Sequence, residues 1–488
     1  MSATAHTMTF TGPLRGDAPA ETLRVLEVAT GVAGPACGRL FSALGHDVIK
    51  CEPQAGDPLR KQEPLDARGV GHGFVALNAG KRNTVADPTT PAGLARIEGL
   101  LEEADVVIID LPPAVAGRLR LDPSALRRRW PTLIVVSVTG YGLDDPSSEW
   151  PCDSLLAESY GGLANMIGEP DRRPLSLGGE QAAYAAGFAA FLGAGLALAE
   201  RAVDGTGDLV DVAICDVAAY IDWKSDITYA VTGRSPRRSG TTAGRWRILP
   251  AADGWVGVIY QPDQWDAMVD LIGDPRLEDE ALADDATRRA DGRWWVAVAE
   301  WVAARTKAEV YEEAQRRGLA FGVDVDIAAL AGSHQLAARG FLRGPTDPLS
   351  PVTGAPLHSD GLRWRSGQAP PLDPSAAVGW ARRAAPTGDA LTSRPSTGSA
   401  RAVPGIATGP GRPRVSVRSP LAGVRVVDFG TITAGAATSR LLADYGATVV
   451  KVESSDHPDL FREWVPEGAS AAPDARFGTS AMFESNNA

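Results

Sequence analysis

Cysteine is scarce in this 488-residue sequence: Cys37, Cys51, Cys152 and Cys215 are the four, and no two form a C-x-x-C. A chain of this length with so few excludes a disulfide framework and a cysteine-ligated zinc site, and reduced thiols in the cytoplasm are the expectation. The six histidines (His6, His46, His72, His334, His358, His457) show no ligand spacing, so no metal is expected. Basic charge is in deficit, 48 Lys+Arg against 60 Asp+Glu, for a net charge of −12. That balance argues against a nucleic-acid partner, which needs clustered cations, but leaves room for a local basic pocket for a small phosphorylated ligand. No G-x-G-x-x-G follows the first strand and no G-x-x-x-x-G-K-[ST] occurs, which removes nicotinamide, flavin and P-loop nucleotide readings. The first 20 residues lack the apolar core of a signal peptide. Ala182–Ala199 runs eighteen residues without a charge, but it is mostly Ala and Gly. We read it as a closely packed buried helix rather than a membrane span.

What is present is ordinary for a folded protein, 44% apolar and 22% charged residues. Leu23–Val28, Asp47–Cys51, Asp105–Asp110 and Thr132–Val138 are near-continuous apolar runs alternating with helical patterns. Such strands imply an α/β fold, a Rossmann-like parallel sheet covered on both faces. The organisation read from the chain is a loose leader (1–20), a large domain (21–221) and a smaller α+β domain (222–345). A return to the large domain (346–383) and a flexible Pro/Gly/Ser/Thr/Ala-rich linker (384–418) follow.

After the linker the sequence repeats. Val424–Glu453 aligns without gaps on Leu23–Glu52 at an offset of 401, with 12 of 30 positions identical. Residues 419–488 are therefore expected to open a second, incomplete copy of the large domain.

Motifs in a fixed order run along the first copy. The strand Val25–Val28 leads through a small-residue loop to Ala33-Gly34-Pro35, and Gly45-His46-Asp47-Val48-Ile49-Lys50-Cys51-Glu52-Pro53 precedes Gly56-Asp57-Pro58. Asn78-Ala79-Gly80-Lys81-Arg82, Glu103–Val107, Trp130–Gly142, Ile167–Pro174, Arg201–Asp216 and Asp253–Val256 follow. Together these resemble the class III CoA-transferase family, the group of formyl-CoA transferase, carnitine CoA-transferase and α-methylacyl-CoA racemase. The resemblance covers about 20–375 and resumes at 421–488.

It implies a CoA-transferase family III fold and interlocked dimers, here a homodimer or a heteromer with a second CoA-transferase-like half. The implied activity moves CoA between an acyl-CoA and a free carboxylic acid. An Asp forms a mixed anhydride and then an enzyme–CoA thioester, so the thioester energy survives both exchanges. Coenzyme A or acyl-CoA is then a substrate, and nothing in the resemblance calls for a membrane.

The resemblance assigns CoA contacts to Gly31, Val32 and Ala33 in the first strand–helix loop, to Arg118 for phosphate, to Asp110 near the pantetheine, and to Thr139 where the family has Lys. Lys81 and Arg82 are alternative phosphate partners. Counting back from Arg201–Asp216 places the family's Asp at Ala183, which has no carboxylate. Glu180, three residues earlier, is the candidate substitute, against a plain helix-start role favoured by the helix dipole. Tyr184 is a candidate proton donor or a packing residue. Cys152 stands where the racemase branch has His, and its neighbour Asp153 fits a helix N-cap, so racemisation is not expected. Two other readings remain. One is a catalytically degenerate CoA-binding subunit beside an active copy, and the other is acyl-transfer or hydrolytic chemistry at Glu180 or Cys152.

Overall fold

The computed structural model describes residues 22–236, 238, 246–341, 354, 356, 357, 364, 365, 367–373, 378–381, 419–454, 458–463 and 480–487. The expected leader (1–20) and linker (384–418) lie outside the described residues.

Six strands form the large sheet: β1 (Arg24–Val28), β2 (Asp47–Glu52), β3 (Arg82–Val85), β4 (Val106–Ile109), β5 (Ile134–Thr139) and β6 (Leu209–Ala213). All pairs are parallel, in the order β3-β2-β1-β4-β5-β6. Alternate side chains divide between the two faces, as a strand's two-residue period requires. Val106 and Ile108 join one buried cluster, and Val107 and Ile109 the other. The helices between and after these strands are α1 (Ala33–Ala43), α2 (His72–Asn78), α3 (Pro91–Leu101), α4 (Pro113–Arg118), α5 (Pro123–Arg129), α6 (Ser154–Tyr160), α7 (Gln181–Asp204), α8 (Ile214–Ile221) and α9 (Trp223–Thr232). Both faces are thus covered, and the strand order reverses between β1 and β4, where such sheets open a crevice.

Helix α7 contains the charge-free stretch. It is long and apolar enough to cross a membrane, yet in this fold one face packs on α1, β5 and β6. Ala183, Ala186, Ala190, Ala194 and Ala197 recur at helical spacing in the core. A Cβ on Gly187 would lie 2.6 Å from Ala36 Cβ and 2.8 Å from the Ala33 carbonyl. Glycine there lets α7 approach α1.

The smaller unit is the antiparallel pair β7 (Trp246–Ala251) and β8 (Gly254–Ile259) with the short β9 (Gly322–Val323). Around them lie α10 (Trp265–Ile272), α11 (Asp285–Ala290), α12 (Trp295–Ala303), α13 (Lys307–Arg316), α14 (Ile327–Ala331) and α15 (His334–Ala338). Its core is separate and rich in indoles, with Trp265, Trp294, Trp295 and Trp301 around Tyr260. The chain then lies back on the large sheet. Gly80 N–H donates to the Gln368 carbonyl at 2.9 Å, Arg60 to the Pro370 carbonyl at 2.9 Å, and the Trp380 indole to the Leu100 carbonyl at 3.0 Å.

The repeated sequence folds into repeated geometry: β10 (Arg425–Asp428), α16 (Ala434–Asp444), β11 (Thr448–Lys451) and α17 (Ala481–Asn487). Arg425 pairs with Thr448 as Arg24 pairs with Asp47. The buried charges repeat as well. Lys50 Nζ reaches Glu27 and Asp57, each at 2.9 Å, and the Ala29 carbonyl at 2.6 Å. Lys451 Nζ reaches Asp428 at 3.7 Å, Asp459 at 3.1 Å and the Gly430 carbonyl at 2.7 Å. Glu52 holds Arg60 over the Phe74 ring, and Glu453 holds Arg462 over the Phe483 ring. The correspondence runs past the aligned segment, because the spacing before Asp459 and before Phe483 changes while the contacts do not. Phe461, Met482 and Phe483 cluster with Ile227 of α9.

Candidate active site

A cavity of about 630 Å³ opens at the carboxyl ends of β1, β4 and β5, at the reversal of strand order. The loop after β1 forms one wall. Gly31 holds φ at +65°, a conformation that costs an L side chain, and so turns the chain directly into α1. Val32 is the N-cap and Ala33 the first helical residue. The opposite wall is the start of α7, and Pro112, Thr139 and Cys152 complete the floor and rim.

The structure brings Gly31, Val32, Ala33, Asp110, Thr139 and Glu180 together around this cavity, with Ala183 and Tyr184. Arg118 is not among the lining residues; it is exposed at the last turn of α4. Thr139 is buried, and its hydroxyl accepts the Gly142 N–H at 3.0 Å. The Lys81 and Arg82 phosphate assignment fails for a physical reason. Lys81 is fully buried, donating to Glu27 at 2.6 Å, the Pro35 carbonyl and Asn78. Arg82 is clamped on Asp47 at 2.6 Å and on the Gly379 carbonyl. Lys81 is thereby withdrawn from any ligand, and Arg82 is tied to the sheet edge and is not among the cavity-lining residues.

Four carboxylates line the cavity, Glu63, Asp110, Asp153 and Glu180, and the described lining residues include no lysine, arginine or histidine. Their surroundings differ. Asp153 caps α6, accepting the Leu156 N–H at 2.8 Å, as its position before a helix foretells. Glu180 is exposed at the N-cap of α7, and its side chain makes no capping bond. Glu63 is exposed. Asp110 is half-buried beside β1, and its Oδ2 accepts the Thr30 N–H at 2.7 Å. Burial pushes the Asp110 carboxyl up to about 7 although the Thr30 hydrogen bond pulls the other way. The resemblance implies a place near the pantetheine for Asp110, but the sequence carries no sign of this environment, because it depends on the strand order.

The Ala183 N–H donates to Ser154 Oγ at 3.2 Å, so even the backbone at the expected nucleophile position is engaged. Burial and then Glu180 raise the Tyr184 hydroxyl above its ordinary value. Cys152 Sγ lies 3.9 Å from Cys215 Sγ across 63 residues of sequence. Burial raises both thiols, Cys215 to about 12, which keeps them protonated and poorly nucleophilic.

A six-stranded parallel sheet with a cavity at the strand-order reversal defines an open α/β protein with its ligand-sized site at the switch point. The sequence profile of CoA-transferase family III matches residues 21–373 and 421–488, and the chain belongs to that family. It is 29% identical over 341 residues to the succinate–glutarate CoA-transferase of Agrobacterium fabrum, covering 66% of this chain and 84% of the relative. A probable CoA-transferase of Mycobacterium tuberculosis is 29% identical over 453 residues, covering 87% of this chain but 52% of that longer relative. Among solved structures, a CAIB/BAIF family protein from Brucella suis superposes with a TM-score of 0.66 at 28% identity, over 74% of this chain and 97% of that one.

Proposed function

We propose that this protein is a cytoplasmic CoA-transferase that moves CoA between an acyl-CoA and a free carboxylic acid through anhydride and enzyme–CoA thioester intermediates. The observation that carries the reading is the cavity at the β1/β4 reversal, where a small-residue loop meets carboxylates in a chain of this family. The pantetheine arm and thioester would enter along Gly31, Val32 and Ala33, past Asp110 and Thr139. The described lining residues include no cation, so the CoA phosphates would rest outside the cavity, and exposed Arg118 is the side chain assigned to them. A carboxylate nucleophile suits the task because its acylated form keeps the energy of the thioester.

The test is exchange. Succinyl-CoA, the donor named for several relatives, is incubated with a panel of free acids that includes glutarate, and new acyl-CoA esters are followed by mass. Transfer to at least one acid is expected; turnover to free CoA alone would favour hydrolysis.

A second reading has its own observation. Ala183 occupies the nucleophile position of the resemblance, which fits a degenerate CoA-binding subunit paired with an active copy. CoA binding without exchange would support it. We also propose that residues 419–488 open a second domain of the same kind, in a homodimer or heteromer of CoA-transferase-like halves. The repeated ion network around Lys50 and Lys451 supports this.

A further inference from the structure

We propose that Asp110, and not Glu180, is the carboxylate that receives the acyl group in this chain. The inference rests on the transferase reading above and names the residue that the missing Ala183 carboxylate leaves open.

Position distinguishes the four carboxylates that line the cavity. Asp153 is committed to the N-cap of α6. Glu63 and Glu180 are exposed at the rim, where water competes for any acyl intermediate. Asp110 alone of the four is half-buried, at the carboxyl end of β4 beside the turn that opens α1. Small residues make room for it. A Cβ on Gly34 would lie 2.5 Å from Ala29 Cβ, too close to fit, and 3.6 Å from Asp110 Oδ2, so glycine lets the start of α1 close on the loop beside the carboxylate. The Thr30 N–H at 2.7 Å fixes the carboxyl plane by one oxygen and aims the group into the cavity. The strand and the hydrogen bond thus supply an oriented, partly dehydrated nucleophile, the condition under which a carboxylate attacks a thioester. The weakened acidity of this carboxyl agrees, since a more basic carboxylate is the stronger nucleophile once ionised.

The steps balance without an external reactant. An Asp110 oxygen bonds to the thioester carbonyl carbon, the C–S bond breaks and CoA leaves as its thiolate. The thiolate attacks the aspartyl carbonyl carbon, the anhydride C–O bond breaks and the donor acid departs as its carboxylate. The acceptor carboxylate then attacks the aspartyl thioester and frees the thiolate. Attack of that thiolate on the acceptor's acyl carbon gives the new acyl-CoA and restores Asp110.

The experiment uses the full chain with succinyl-CoA as probe, borohydride trapping and peptide mapping. Borohydride reduces an aspartyl thioester to homoserine, so the label reads the residue directly. Homoserine at position 110 is expected. D110N, which keeps an oxygen for the Thr30 N–H, is expected to bind CoA but to lose exchange about 1,000-fold or more. Trapping at Glu180, or full exchange by D110N, overturns the proposal while leaving the transferase reading intact. No exchange by the unaltered chain with any acid overturns both.

Discussion

Asp110 should make this protein less stable than it could be, and the cost should depend on pH in a defined way. Its carboxyl rises from 3.8 to about 7 on folding, because burial disfavours the charged form. A group whose folded-state affinity for protons exceeds the unfolded one contributes fully at low pH, and that contribution is lost as pH rises through the folded value. The unfolded chain gives up the proton near pH 4, whereas the folded chain holds it until about pH 7, so stability falls between the two. Each tenfold change in proton affinity is worth about 1.4 kcal/mol, so the full cost above about pH 7 is about 4 kcal/mol. Asn is nearly isosteric, has no charge to desolvate and can accept the same Thr30 hydrogen bond. D110N should therefore be more stable than the unaltered chain at about pH 8, and the difference should shrink by about 2.5 kcal/mol at about pH 5. Urea unfolding followed by far-ultraviolet circular dichroism across that range measures it. A D110N variant that is less stable at the higher pH, or a difference that does not change with pH, would refute the reasoning.

Glu27 joins Lys50 at 2.9 Å and Lys81 at 2.6 Å with all three side chains fully buried. E27Q leaves a buried ammonium uncompensated and should cost about 3–5 kcal/mol in urea unfolding, and a cost under about 1 kcal/mol would contradict the network. G187A places a methyl group against Ala36 and the Ala33 carbonyl. It should lower stability by about 1–3 kcal/mol, seen as a lower melting temperature, and an unchanged melt would mean α7 is free to shift. Ile432 holds φ at +60°. Comparing I432G with I432A removes the side-chain packing from both, so the glycine variant should be the more stable by about 1 kcal/mol, the reverse of an ordinary position.

The parallel sheet is legible in the sequence because its strands are buried on both faces and read as unbroken Val and Ile runs. Val106–Ile109 and Ile134–Val136 are fully buried, so the pattern has no polar alternation to obscure it. Asp153 is legible because an N-cap is a local matter. Lys81 is not, because its partner Glu27 stands 54 residues away and only the β1–β2–β3 order brings them together. A lysine beside an arginine reads as a phosphate clamp until the fold buries it. The environment of Asp110 is hidden for the same reason: the family resemblance points to the position, but its burial depends on β4 lying next to β1. The repeat is visible only while the spacing holds. Beyond Glu453 the matching contacts of Arg462 and Phe483 continue through changed spacing, which an ungapped comparison cannot follow.

The repeat separates frame from chemistry within the first strand–helix turn. Gly31 and Ile432 occupy equivalent positions, and both are left-handed, at φ +65° and +60°. A β-branched residue adopts that conformation only where the surroundings impose it. The strand, helix and buried lysine therefore set the shape of the turn, and glycine merely makes it cheap. What the turn donates to differs. In the first turn the Thr30 N–H goes to Asp110, which arrives from β4. In the second turn the donor is one residue further on: the Ile432 N–H, equivalent to that of Gly31, goes to Asp459, the counterpart of Asp57 in the ion network. Among the described residues no third strand joins β10 and β11, so this turn is tied to a structural carboxylate rather than to one that lines a cavity. Neighbouring N–H groups of one turn shape thus serve stability in one segment, while in the other they hold a carboxyl group at a ligand-sized space, where burial keeps that group at a cost to the fold.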